Sequence, residues 1–101
     1  MLIRVREDQS LALEEEDNFK GFCIRVKDLD TNISALDTIT ERIEDSNYWL
    51  DAQGVIALSS KCTDKEWLAQ FWGMLKGAEL YGFADLEAQL IRAHIEYDVA
   101  N

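Results

Sequence analysis

The side chains that could perform acid–base chemistry lie in the last fifth of the sequence. His94 is the only histidine, with Glu87 seven residues before it and Asp98 four residues after it. On a helix these spacings place the three side chains on roughly one side, where a carboxylate could orient the imidazole as a general base. The simpler interpretation is a surface histidine with an i,i+4 charge partner. Because the sequence also lacks the Gly-x-Ser-x-Gly and Ser-x-x-Lys motifs of nucleophilic enzymes, it predicts a protein that is not an enzyme.

Metal and cofactor motifs are incomplete. Cys23 and Cys62 are 39 residues apart, and one histidine with two distant cysteines does not make a zinc ligand set. The Asp-x-Asp-x-Asn pattern over residues 28–32 matches the start of a calcium loop. However, Ile33 stands where that loop needs glycine and Ile39 where it needs glutamate. Since no glycine-rich phosphate loop is present either, we predict no metal site and no cofactor.

The charge balance restricts the class of partner. Twenty acidic residues face ten basic ones, for a formal net charge of −10 and a pI of about 4.4. Nucleic-acid backbones and anionic membrane surfaces attract basic proteins, so we predict that the chain binds neither. No apolar run approaches the ~20 residues of a membrane span, and Arg4 and Arg6 interrupt any secretory pattern near the start. The expected compartment is the cytoplasm, where both cysteines would be small buried hydrophobes.

The elements that must position these side chains can be read from the apolar spacing. Alternating or short apolar runs predict five strands, at residues 1–6, 11–17, 19–27, 48–50 and 55–59. The second of them has nearly as strong a helix tendency, and as a strand it would form a hairpin with the first. The last two would be joined by a hairpin loop at residues 51–54, where Gly54 allows a positive φ.

Apolar residues three or four apart predict three helices. The first covers residues 31–45, and the second follows a capping box at Thr63–Glu66 and runs to about Tyr81. Gly82 would end it, and a last helix would cover residues 83–98. The predicted fold class is α+β: a small antiparallel or mixed sheet of four to five strands, one intervening helix and a C-terminal pair of helices packed on one face. We expect a single globular domain over residues 1–101.

Two features of the sequence favour protein binding. Acidic residues form the run Glu14–Asp17, and further carboxylates follow along the chain, whereas a solvated turn that aids solubility is the simpler interpretation of the run. Aromatic residues are frequent, and an exposed ring inside an acidic rim would suit a basic protein surface. The predicted partner-binding residues are Glu14, Glu15, Glu16, Asp17, Asp28, Asp30, Tyr48 and Trp49.

The first functional hypothesis is an acidic protein that binds and inhibits a basic protein partner, such as an immunity protein that neutralises a nuclease-type toxin. A phage-type antagonist of a nucleic-acid-binding defence complex would have the same profile. The alternative is a homodimeric interaction or assembly module. Its interface would contain Trp67, Trp72 and the helix face marked by Gly73 and Gly77, whose spacing indicates a closely packed neighbour.

Overall fold

The computed structural model describes residues 1–44 and 47–98. In these residues the chain forms eight strands, two α-helices and one 3₁₀-helix, at Ser34–Thr38. The strands and helices are β1 (Leu2–Val5), β2 (Leu11–Glu14), β3 (Cys23–Val26), β4 (Thr40–Glu44), β5 (Asn47–Asp51), α1 (Ala52–Leu58), α2 (Lys65–Glu79), β6 (Ala84–Asp85), β7 (Leu90–Ala93) and β8 (Ile95–Tyr97). The fold is therefore α+β, as predicted.

The first sheet is mixed and has the order β2-β1-β3-β8. The predicted hairpin of β1 and β2 is confirmed, and β3 lies parallel to both β1 and β8. Ile24 pairs with Ile3 on one side and with Ile95 on the other, which makes one face of the sheet apolar. Arg4 and Arg25 pair on the opposite face, so the period-2 alternation of the sequence separates core from solvent.

The second sheet is antiparallel and has the order β4-β5-β7-β6. Its strand β7 leads through His94 directly into β8, so a single chain segment takes part in both sheets. The backbone N–H of Ile24 donates to the His94 carbonyl at 2.9 Å and joins the first sheet to this crossing point.

One buried cluster contains the inner faces of both sheets and the apolar sides of both helices. Phe71 of α2 is fully buried at its centre. Its ring stacks on Trp67 with 5.3 Å between centroids and meets Trp72 edge-on at 5.6 Å. The largest fully buried side chains are Ile3, Ile24, Leu36, Leu50, Phe71, Leu75 and Ile91.

The predicted helix over residues 31–45 is wrong. Residues 34–38 form a 3₁₀-helix and residues 40–44 form β4, whereas residue 45 lies outside the described part. A 3₁₀-helix repeats every three residues, and the spacing of Ile33, Leu36 and Ile39 fits that period as well as an α-helix. The β-branched run Thr38–Thr40 then favours an extended backbone.

The predicted strand over residues 55–59 and its hairpin loop at 51–54 are also wrong, because these residues form α1. Asp51 caps this helix, its side chain accepting the N–H of Gln53 at 3.3 Å. The buried residues Ala52, Val55 and Ile56 have the i, i+3, i+4 spacing of one helix face. A short apolar run does not by itself distinguish a buried strand from a buried helix.

The predicted last helix is replaced by β6, β7 and β8. Leu90 and Ile91 are adjacent and both buried, because β7 is covered on both faces. Such a strand loses the alternation that identifies strands in a sequence, and its apolar residues then match a helical spacing by chance. Both α-helices lie in the middle of the chain, and the predicted C-terminal helix pair does not form.

The capping of α2 supplies a stability prediction. The side chain of Asp64, not Thr63, accepts the N–H groups of Glu66 at 2.9 Å and Trp67 at 3.1 Å. We expect Asp64→Ala to lower the free energy of unfolding by about 1 kcal/mol, because it leaves these helix N–H groups unpaired. Thr63→Ala should change it by less than about 0.5 kcal/mol. Urea denaturation of both variants, with Asp64→Asn as the cap-preserving control, measures the difference; equal losses would contradict the assignment.

Candidate functional site

Three of the four carboxylates in the predicted acidic run are engaged within the chain. Glu14 pairs with Arg4 at 3.3 Å, and Asp17 pairs with Lys61 at 2.7 Å. The hydrogen bond to Asp17 raises the pKa of Lys61. Glu16 accepts hydrogen bonds from the hydroxyls of two serines that precede α2, while the fourth member, Glu15, is exposed. The run therefore attaches the β2 hairpin to the segment that leads into α2.

Asp28 and Asp30 lie in the turn that follows β3. The Asp28 carboxylate accepts the N–H of Asp30 at 3.0 Å and the hydroxyl of Thr31 at 3.2 Å, so it closes its own turn. Leu29 stands between the two carboxylates with 64% of its surface exposed. A large apolar side chain is thus presented between two acids at the tip of a loop.

The two acidic groups lie at opposite ends of the first sheet. Glu14 pairs with Leu2 at the beginning of β1, whereas Asp28 and Asp30 follow β3, which runs parallel to β1. The structure therefore does not bring the run and the turn together into one patch.

Tyr48 and Trp49 lie in β5, in the interior of the second sheet. The Arg42 guanidinium covers the Trp49 ring at 4.5 Å from its centroid, and only 8% of Trp49 is exposed. Tyr48 is half-buried against the core. Of this aromatic pair, Tyr48 alone has a partly exposed side chain, and its role in partner binding stays a prediction.

His94 does not form the predicted pair with Asp98. Its segment is a strand crossing, not a helix, so the i+4 residue is not its neighbour. Asp98 instead pairs with Arg25 at 3.0 Å and also with Arg4, while His94 Nε2 lies 3.4 Å from Glu96.

Cys23 lies next to Glu96 in the first sheet. Burial and the neighbouring Glu96 carboxylate raise the pKa of the Cys23 thiol to about 11. A nucleophilic cysteine needs the opposite shift, because the thiolate is the reactive form. The Cys23 thiol is thus held protonated at neutral pH.

A groove of about 660 Å³, not expected from the sequence, opens between α2, the turn after it, the end of β7 and residues 19–22. Phe22, Met74 and Phe83 supply apolar walls, and Lys20 and Arg92 are the cations that line it. These residues come from four separate parts of the chain, so no local pattern could have indicated the groove.

Gly73 and Gly77 face this groove. The sequence predicted that a neighbour would pack closely against them, but a Cβ built at either position meets nothing within 4 Å. The prediction of close packing is therefore wrong within the chain, and the two glycines keep the groove wide.

No protein-family model, curated protein or solved structure matches the chain. Within residues 1–44 and 47–98, no helix is long and apolar enough to cross a membrane. No group of three or more His, Cys, Asp or Glu side chains among these residues is placed to hold a metal ion.

The thiol environments predict different reactivities for the two cysteines. Cys62 is exposed, whereas a thiol of pKa about 11 has about one thiolate per thousand molecules at pH 8. We expect one fast-reacting thiol per chain with a disulfide reagent at pH 8. Cys62→Ser should remove the fast phase and Cys23→Ser should leave it unchanged. Two thiols reacting at equal rates would contradict the burial of Cys23.

The hydrogen bonds of Glu16 predict a structural role for this carboxylate. The Ser59 hydroxyl donates to it at 3.1 Å, and the Ser60 hydroxyl also donates. Glu16→Ala should lower the free energy of unfolding by about 1–2 kcal/mol, since a half-exposed charged acceptor is removed. Glu15→Ala, the adjacent control, should change it by less than about 0.5 kcal/mol. Chemical denaturation that ranks the two variants equally would show that Glu16 does not hold this junction.

Proposed function

We propose that this chain is a non-enzymatic acidic protein that binds and inhibits a basic protein, and that an immunity protein against a nuclease-type toxin is the first candidate. The observation that carries the proposal is the segment of residues 28–44. It combines a concentration of carboxylates with exposed apolar side chains, as protein-binding surfaces do.

The segment 28–44 has five acids and a single cation, Arg42. Leu29 and Ile43 expose 64% and 63% of their surfaces within it. The lone cation is turned to its own neighbours, because Arg42 covers Trp49 and lies 3.9 Å from Glu44. The remaining acids of the segment are Asp28, Asp30, Asp37 and Glu41.

The charge surplus of the described chain is not cancelled internally. Five carboxylates of this part form ion pairs with Lys or Arg, namely Glu7, Glu14, Asp17, Glu44 and Asp98. The remaining carboxylates contribute a negative field that would attract a basic partner. Such complementarity raises association rates to about 10⁸–10⁹ M⁻¹s⁻¹ at low salt.

A small cleft beside the Asp28 turn suits a basic side chain of the partner. It measures about 230 Å³, and Glu7, Asp28 and Asp30 are among its lining residues. Lys27 already pairs with Glu7 there at 2.8 Å, which is direct precedent for an ammonium at this position. A partner's Lys or Arg could bind next to it while Leu29 contacts apolar surface.

Inhibition follows from the chemistry of such a partner. A nuclease binds phosphates through a basic cleft, and carboxylates placed in or beside that cleft exclude the substrate. A phage-type antagonist of a defence complex would use the same surface, so the identity of the partner distinguishes the two.

The homodimer alternative loses one of its residues. Trp67 is only 3% exposed and its indole N–H donates to the Glu16 carbonyl at 2.7 Å, so it is not available to a second copy. Trp72, half-buried, and the open glycine face are left. A dimer in sedimentation velocity at micromolar concentration would favour this alternative.

The acidic segment can be tested by partner capture from the native host, followed by binding kinetics with the purified partner. We expect a basic protein whose association rate falls at least about tenfold between roughly 50 and 300 mM salt, because screening weakens the attraction. Asp28→Asn/Asp30→Asn, which keeps the amide oxygen that closes the turn, should slow association about threefold to tenfold. Leu29→Ser should instead speed dissociation about fivefold to thirtyfold.

Glu66→Gln/Glu87→Gln is the matched control, since it removes two carboxylates outside the segment. It should slow association less than the Asp28/Asp30 variant. A partner of neutral or acidic pI, a rate indifferent to salt, or equal effects of both double variants would refute the proposal.

A further inference from the structure

We propose that the groove beside α2 binds a small organic anion, a monocarboxylate on an aliphatic or aromatic body. Its volume of about 660 Å³ is within the ~300–1,000 Å³ of small-molecule pockets. The walls supplied by Phe22, Met74 and Phe83 suit the apolar body of such a ligand. This inference does not depend on the acidic segment or on its partner.

The charge of the groove is opposite to that of the protein. Twenty of the 101 residues are acidic, yet none of the described residues that line the groove is Asp or Glu. Lys20 and Arg92 line it, and neither forms an ion pair within the described chain. In a protein with twice as many acids as bases, these two cations are left for an anion from outside.

Arg92 is positioned to receive that anion. Its guanidinium carbon lies 5.5 Å from the centroid of the Phe83 ring, which holds the head group by a cation–π contact. Its Nε is buried and donates no hydrogen bond to the described part of the chain. A carboxylate is the group that pairs with a guanidinium through two parallel hydrogen bonds.

The two glycines of α2 supply a second, steric argument. Glycine disfavours a helix interior, and neither Gly73 nor Gly77 is required by a packed neighbour, since the space over each is open. Larger side chains would fit sterically but would narrow the groove. Their placement is therefore explained by keeping space for a ligand.

The test uses three ten-carbon probes that differ only in the head group: decanoate, decanol and decylammonium. Binding is followed by NMR through the backbone amide signals of Gly73 and Gly77. We expect decanoate to bind at least about tenfold more tightly than either of the others. The net charge of −10 favours decylammonium, so a preference for decanoate would have to come from the groove.

Arg92→Gln and Lys20→Gln should each weaken decanoate binding about tenfold, because each removes one cation from the groove. Gly77→Leu, which fills the groove, should weaken it at least as much while the far-UV circular dichroism stays unchanged. Lys65→Gln is the matched control, since it removes a cation of α2 that does not line the groove, and it should leave binding unchanged.

Equal binding of decanol, a preference for decylammonium, or no shift of the glycine signals would overturn the proposal. So would a loss of binding in Lys65→Gln as large as in Arg92→Gln. A dimer in sedimentation velocity that decanoate does not dissociate would also overturn it, and would assign the groove to a second copy of the chain.

Discussion

Hydrogen bonds from backbone N–H groups to Asp and Asn side chains hold the turns of this fold. The sequence has no proline and five glycines, so the usual turn residues are scarce. In their place, short polar side chains accept an N–H two or three residues further along the chain. They are Asp8, Asn18, Asp28, Asn32, Asp51, Asp64 and Asp85. Both α-helices and most of the loops between strands begin at such a residue.

This use of carboxylates changes how the acidity is understood. Solubility and partner binding were the two explanations that the sequence allowed, and turn formation is a third. The three are compatible, because a carboxylate that accepts an N–H with one oxygen keeps its charge and a second oxygen. Asp28 illustrates this: it closes its turn through Oδ1 and also lines the cleft beside Glu7. Structural and functional acidity can therefore reside in the same side chain.

The sequence predicted best where local contacts decide the structure. The β1–β2 hairpin and α2 with its glycine end, where Gly82 has φ of 81°, need only neighbours in the chain. The failures at residues 31–45, 55–59 and 83–98 share one cause: burial on more than one side removes the periodicity that distinguishes helix from strand. The groove was beyond prediction because its walls are distant in sequence, and the glycine spacing indicated only that α2 has an open or closely packed face.

The crossing at His94 links the groove to the rest of the fold. Residues 91–94 line the groove as β7 ends, and the His94 carbonyl then accepts the N–H of Ile24, which fixes where residues 19–22 enter β3. The groove is therefore bounded by elements of both sheets and by α2 at once. Its shape depends on the relative position of the two sheets, which the shared core sets, because a single strand segment cannot shift in one sheet without shifting in the other.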